Sequence, residues 1–215
     1  MTKSQRRRGS PGPFQDPQAH ASQLRDHTAW FGTGRTLLNA ADLIWRERIQ
    51  PGFDHMAQRR ADLLRAFKAG EIQAERRGLP AFQAEPLVGV LELSGYCNVY
   101  MLTAGYAVEN FLKAVRVKRL VLSGRPVNFG GEPDGLPTSH TSYATVAKAE
   151  LDTLTEADQE LLGRLSLFVD WAGRYPVPIQ PAPLSEVNGR STKAEDYRAV
   201  QDVCQRAIDK YESLR

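Results

Sequence analysis

Between residues 100 and 119, Met101, Ala104, Gly105, Val108, Phe111, Leu112 and Val115 recur at three- and four-residue spacing. That spacing lines up one apolar face of an α-helix. Tyr106, Glu109, Asn110, Lys113 and Arg116 share the other side. The pattern predicts a core helix from about Tyr96 to Leu122 that carries one polar stripe. Upstream, residues 22–49 keep Trp30, Phe31, Leu37, Leu38, Ala41, Ile44 and Trp45 on one face. Pro51-Gly52 is expected to end that helix, because a proline ring clashes with the preceding turn and lacks an N–H. A second helix is expected from about Phe53 to Glu71 or Arg77, with Met56, Leu63, Leu64 and Phe67 inward. Residues 87–93 show no clear period and read as a short helix or an extended segment.

Downstream, residues 123–139 (SGRPVNFGGEPDGLPTS) read as a surface loop. Their glycines raise the question of a phosphate cradle, but no Lys-Ser or Lys-Thr follows to open a helix. His140 to Leu151 forms a short predicted helix with Tyr143, Val146 and Ala147 inward. Thr155 and Asp158 resemble a capping box. They precede a helix carrying Leu161, Leu162, Leu165, Phe168, Val169 and Ala172, with Arg174 in its last turn. Pro176 forces Tyr175 out of helical geometry. After a proline-rich loop at 177–191, Thr192 and Glu195 form a second expected capping box. A final helix then presents Tyr197, Val200, Val203, Cys204, Ala207, Ile208, Tyr211 and Leu214. No strand pattern appears, so the predicted fold is an all-α antiparallel bundle of five to six helices. Residues 1–20 read as a disordered basic tail and 21–215 as a single helical domain.

Charge changes this picture in one respect. The net charge is +3, from 28 basic and 25 acidic residues. Residues 1–20 hold four basic groups against one acidic group, so the remainder holds 24 of each. A body that binds long nucleic acid by bulk electrostatics usually carries an excess of positive charge, so this neutral one argues against it and leaves local patches. Arg59, Arg60, Arg65 and Lys68 on the second helix are either a solvated face or an RNA-facing patch. Residues 109–125 hold five basic groups against one acidic group, and residues 132–170 hold two against eight. Those segments are expected to neutralise each other within the fold or across a dimer.

Cys97 and Cys204 belong to no CxxC and read as reduced thiols. His20, His27, His55 and His140 have no metal-site spacing, so neither a metal nor a cofactor is expected. The N-terminal MTKSQRRRGSPGPFQDPQ lacks an apolar signal core. The apolar run 87–108 contains Glu92 and Asn98 and reads as buried protein rather than a membrane span. A cytoplasmic location is therefore expected.

Within the stripe, Glu109 and Lys113 are an i,i+4 pair in the favoured order. They are either a helix-stabilising ion pair or, with Tyr106 and Asn110, a polar cluster facing a base, sugar or phosphate. AGYAVENFLKAV, LPTSHTSYATVAKA and LLGRLSLFVDWAGRYPVP occur in that order. Together they resemble the HEPN superfamily, in its branch with an A-x-E-x-x-L-K helix, a Ser/Thr-His helix start and a helix ending Arg-Tyr-Pro. The matching positions are Ala107, Glu109, Leu112, Lys113, Ser139, His140, Arg174, Tyr175 and Pro176. The resemblance covers roughly residues 22–178.

It implies a helical bundle, often a homodimer, that binds or acts on nucleotide or RNA in toxin–antitoxin or phage-defence systems. The implied partner is a nucleotidyltransferase or an antitoxin protein. Candidate nucleotide- or RNA-binding residues are then Tyr106, Glu109, Asn110, Lys113, His140, Arg174 and Tyr175. Ribonuclease members carry Arg, then four to six residues, then His. In such a site the His serves as general acid/base and the Arg holds the phosphate. The formal match in this chain is Arg48 to His55, interrupted by Pro51-Gly52 and placed after the first helix. With so many arginines, about one such match is expected by chance. The expectation is therefore a binding or interaction module without the usual Arg–His site. The alternative is a divergent metal-independent ribonuclease toxin, with His140 as acid/base and Arg174 as phosphate clamp.

Overall fold

The structure is a computed structural model that describes residues 22, 25–68, 85–127, 136, 143–169 and 192–215. Among these residues the regular elements are helical and no strand forms, so the chain is all-α. The elements are α1 (His27–Ile44), a π-helical turn (Trp45–Ile49), α2 (Gln50–Lys68), α3 (Glu85–Leu122), α4 (Tyr143–Glu150), α5 (Glu156–Leu167) and α6 (Asp196–Ser213). The expected basic tail, residues 1–20, lies outside the described residues.

The first helix is capped later than its apolar pattern suggests. Asp26 Oδ1 accepts from Thr28 N at 3.0 Å and Ala29 N at 3.1 Å, and this fixes the start of α1 at His27. The larger correction concerns its end. Pro51-Gly52 does not stop the helix: α1 passes through the π-helical turn directly into α2. Ile44 and Gln50 are both right-handed helical, and the Gln50 N–H reaches back five residues to the Trp45 carbonyl. Widening the turn before Pro51 relieves the ring's clash with the carbonyl four residues back. Arg46, Glu47 and Arg48 are exposed, so water can satisfy the carbonyl that Pro51 leaves unbonded. Gly52 has a packing reason. A Cβ there would sit 2.8 Å from Leu93 Cδ1, so the glycine lets the start of α2 close on α3.

The central helix is longer than its pattern suggests. α3 has 38 residues, about 57 Å at 1.5 Å per residue. Pro86 stands in its first turn, where a missing N–H costs nothing. Residues 87–93 therefore join the helix instead of forming a separate segment.

α3 packs most extensively against α1, with α6, α4 and α5 on its remaining sides. The main core joins Trp45, Ile49, Tyr100, Met101, Phe111 and Leu112 to Leu161, Leu165, Val200 and Val203. Gly105 seats α5: a Cβ there would lie 2.5 Å from Val169 Cγ2 and 3.3 Å from the Leu165 carbonyl. The expected surface loop is also more than a connection. Val127 and Leu136 are buried against Val117 and Leu120, with Trp30 packed beside them.

The two expected caps differ in outcome. At α5, Asp158 N donates to Thr155 Oγ1 (3.1 Å) and Thr155 N donates to Asp158 Oδ2 (2.8 Å), a reciprocal capping box. At α6, Glu195 makes no capping bond. Asp196 accepts from Lys193 N at 2.7 Å instead, because Arg164 draws that carboxylate inward from α5. Met56, expected inward on α2, is 39 % exposed. In α4, Val146 and Ala147 are buried as expected. Cys97 and Cys204 are free thiols.

Candidate functional site

The polar stripe of α3 is buried. Glu109, Asn110, Lys113 and Arg116 are 6 %, 8 %, 9 % and 5 % exposed, while Tyr106 is half-buried. Lys113 Nζ donates to Glu109 Oε1 and lies 5.0 Å from the centre of the Trp30 ring of α1. Asn110 Nδ2 donates to the Tyr106 carbonyl at 2.7 Å. One turn on, Arg119 grips Glu150 of α4 through two bonds of 2.7 and 3.0 Å, and Arg116 lies 3.9 Å from the same carboxylate. The basic end of α3 is thus neutralised in part by the acidic segment that follows it, as the charge pattern implied. These groups tie α3 to α1 and α4. Tyr106, Glu109, Asn110 and Lys113 share one face, whereas His140, Arg174 and Tyr175 lie outside the described residues.

A second polar cluster lies where α1, α3, α5 and α6 meet. Asp196 is 1 % exposed and is ion-paired with Arg164. Burial pushes its carboxyl upward against the pull of the Lys193 N–H and Arg164. The Tyr197 hydroxyl donates to Asp42 of α1. The Tyr197 ring stacks on Trp45 at 5.3 Å, and Trp45 Nε1 donates to Gln50 Oε1 at 3.0 Å. Burial also raises the Tyr100 hydroxyl, and it pushes the Cys204 thiol up to about 12, which leaves that thiol unreactive at neutral pH. This cluster fastens α6 to α1 across the π-helical turn. No motif in the sequence marks it, because its members are far apart in the chain.

One exposed polar surface lies on the π-helical turn, α2 and around residues 94–99 of α3. Arg48 sits over the Tyr96 ring, 5.5 Å from its centre. Tyr96 is 38 % and Val99 50 % exposed. Arg59 and Arg60 are exposed, while Arg46 and Arg65 pair with Asp42 and Asp62. Because the helix is continuous, Arg48 and His55 stand on one rod, roughly 10 Å apart along its axis, and both are exposed. The Arg48–His55 spacing was visible in the sequence, but its partner Tyr96 was hidden inside a run read as core. Elsewhere, an open depression of about 330 Å³ is lined by Leu151, Arg206 and Lys210, with both cations already engaged by Asp158 and Asp152.

A scan against protein-family models finds no match, and comparisons with curated proteins and with solved structures find none either. Among the described residues, no helix is long and apolar enough to cross a membrane.

Proposed function

We propose that this chain is a HEPN-like helical module that binds nucleotide or RNA, as part of a toxin–antitoxin or phage-defence system. In this reading it acts as a homodimer beside a nucleotidyltransferase or an antitoxin protein. The ordered motifs around Glu109, His140 and Arg174 support the family reading. The observation that carries the binding reading is the set of exposed arginines along the rod that runs from the π-helical turn through α2: Arg46, Arg48, Arg59, Arg60 and Arg65. Residues 45–68 hold six basic residues against three acidic ones, a net of +3, which leaves −3 on the remainder of residues 21–215. The buried Glu109–Lys113 pair then belongs to the scaffold, and ligand contact falls to the arginines. The test is fluorescence anisotropy with labelled RNA and with nucleotides, for the wild type and for Arg59→Glu/Arg60→Glu. The charge reversal is expected to weaken RNA binding at least tenfold and to flatten its salt dependence. No binding by the wild type at low salt overturns the reading.

A second reading, a metal-independent ribonuclease, is favoured by one observation. Pro51-Gly52 does not separate Arg48 from His55; the two occupy one uninterrupted helix. His55 would exchange the proton with the attacking 2′-hydroxyl and Arg48 would hold the phosphate. Cleavage of RNA in the presence of chelator, abolished by His55→Ala, is the expected result. Loss of cleavage in His140→Ala or Arg174→Ala alone would move the chemistry to those residues. No cleavage by pure protein removes the enzyme reading.

A further inference from the structure

We propose that Tyr96, with Arg48 over its ring, is a stacking platform for an unpaired base of single-stranded RNA. The proposal rests on the RNA-binding reading above and names the place and the form of RNA.

Four observations converge on this surface. Tyr96 is 38 % exposed on a helix where Tyr100 and Phe111 are each 1 % exposed and Tyr106 is half-buried. Its ring already accepts a planar cation, since Arg48 lies 5.5 Å from the ring centre. Guanidinium planes and tyrosine rings are the groups on which unpaired bases stack. Val99, one turn along, is 50 % exposed and extends the apolar floor. Gly95, beside Tyr96, borders open space: a Cβ there would meet nothing within 4 Å. A glycine inside a helix is unfavourable, and no packing contact explains this one. It leaves room for a flat ligand to approach the backbone.

The π-helical turn carries Arg48 to this position. Such turns are rare and recur at functional sites. Trp45 at its start is buried, while Arg48 faces outward over Tyr96. Arg59 and Arg60 lie on the same rod, about 16 Å farther along its axis. No carboxylate among the described residues pairs with either of them, and both are exposed. A strand with one base on Tyr96 would run its phosphates toward those two cations. A duplex would not fit this arrangement, because its bases are already stacked on one another.

The experiment compares the full chain with Tyr96→Ala, Tyr96→Trp and Arg48→Ala. The probes are a labelled single-stranded oligo(A) RNA and the same RNA annealed to its complement. Tyr96→Ala is expected to weaken single-strand binding about tenfold, while Tyr96→Trp holds or tightens it. Neither is expected to change duplex binding. Tyr96 is at the surface, so unchanged thermal melting confirms that the variants are folded. If the wild type binds single strands and Tyr96→Ala binds them equally well, the platform is wrong although RNA binding stands. If the wild type binds no RNA, both readings fall. If Tyr96→Ala changes only the oligomeric state, the surface is a protein contact and the proposal is overturned.

Discussion

Lys113→Ala separates a scaffold role for the α3 stripe from a ligand-facing role. Glu109 and Lys113 side chains are 7 % and 11 % exposed, and Trp30 lies over the ammonium. Removing the lysine leaves a carboxylate in the protein interior. Breaking a buried pair in this way costs about 3–5 kcal/mol. For a chain of this size each kcal/mol lowers the melting temperature by roughly 2–4 °C, so the midpoint should fall by about 6–20 °C. Replacing both partners, as in Glu109→Leu/Lys113→Met, removes both charges and keeps most of the volume. That double variant should recover much of the loss, which gives a large coupling energy in the cycle of single and double variants. Urea unfolding followed by far-UV circular dichroism measures each corner. A ligand-facing surface pair behaves differently: each single variant would lie within about 0.5 kcal/mol of the wild type, with the effect seen in binding instead. That result would refute the scaffold argument.

Glycines of opposite context should respond oppositely. Gly105→Ala places a methyl group 2.5 Å from Val169 Cγ2 and should destabilise by about 1–3 kcal/mol. Gly95→Ala meets nothing and should stabilise α3 by about 0.5–1 kcal/mol in urea unfolding. Asp196→Ala removes the buried partner of Arg164, leaving it the exposed Glu160 at 3.5 Å, and should cost about 1–3 kcal/mol, whereas Asp196→Asn, which can still accept from Lys193 N–H, should cost less. His27 contacts the Tyr211 hydroxyl at 2.7 Å, and burial, with Lys118 nearby, lowers its pKa below 6.5. Its unfolded form therefore binds a proton more readily, so this contribution to stability is full above pH 6.5 and is lost as pH falls through the lower folded value. His27→Gln should reduce the change in urea midpoint across that window, and an unchanged slope would rule out this residue as its source.

Helical class, the inward faces of α1 and α3 and the Thr155 cap were legible in the sequence because each rests on local spacing. The features that were not legible all depend on distant contacts. Asp196 replaces the expected Thr192–Glu195 cap because Arg164, thirty-two residues earlier, claims its carboxylate. Tyr96 stands at the edge of the apolar face of α3, inside a run read as buried protein, and only the packing of the neighbouring helices shows that its side of α3 is left open. Pro51-Gly52 is the most consequential case for function. Local rules make the pair a helix stop. Within the fold, the π-helical turn accommodates the proline and Leu93 fills the space that Gly52 leaves. The continuity that follows removes the separation between Arg48 and His55, but it does not itself make them catalytic. Two groups about 10 Å apart on one rod cannot both reach the same phosphate unless long side chains or a second protomer close the gap. The ribonuclease reading therefore depends on the reach of the Arg48 side chain or on assembly, while the stacking reading needs neither. If RNA binding persists in a monomeric variant while cleavage is absent, Arg48 serves Tyr96 rather than His55.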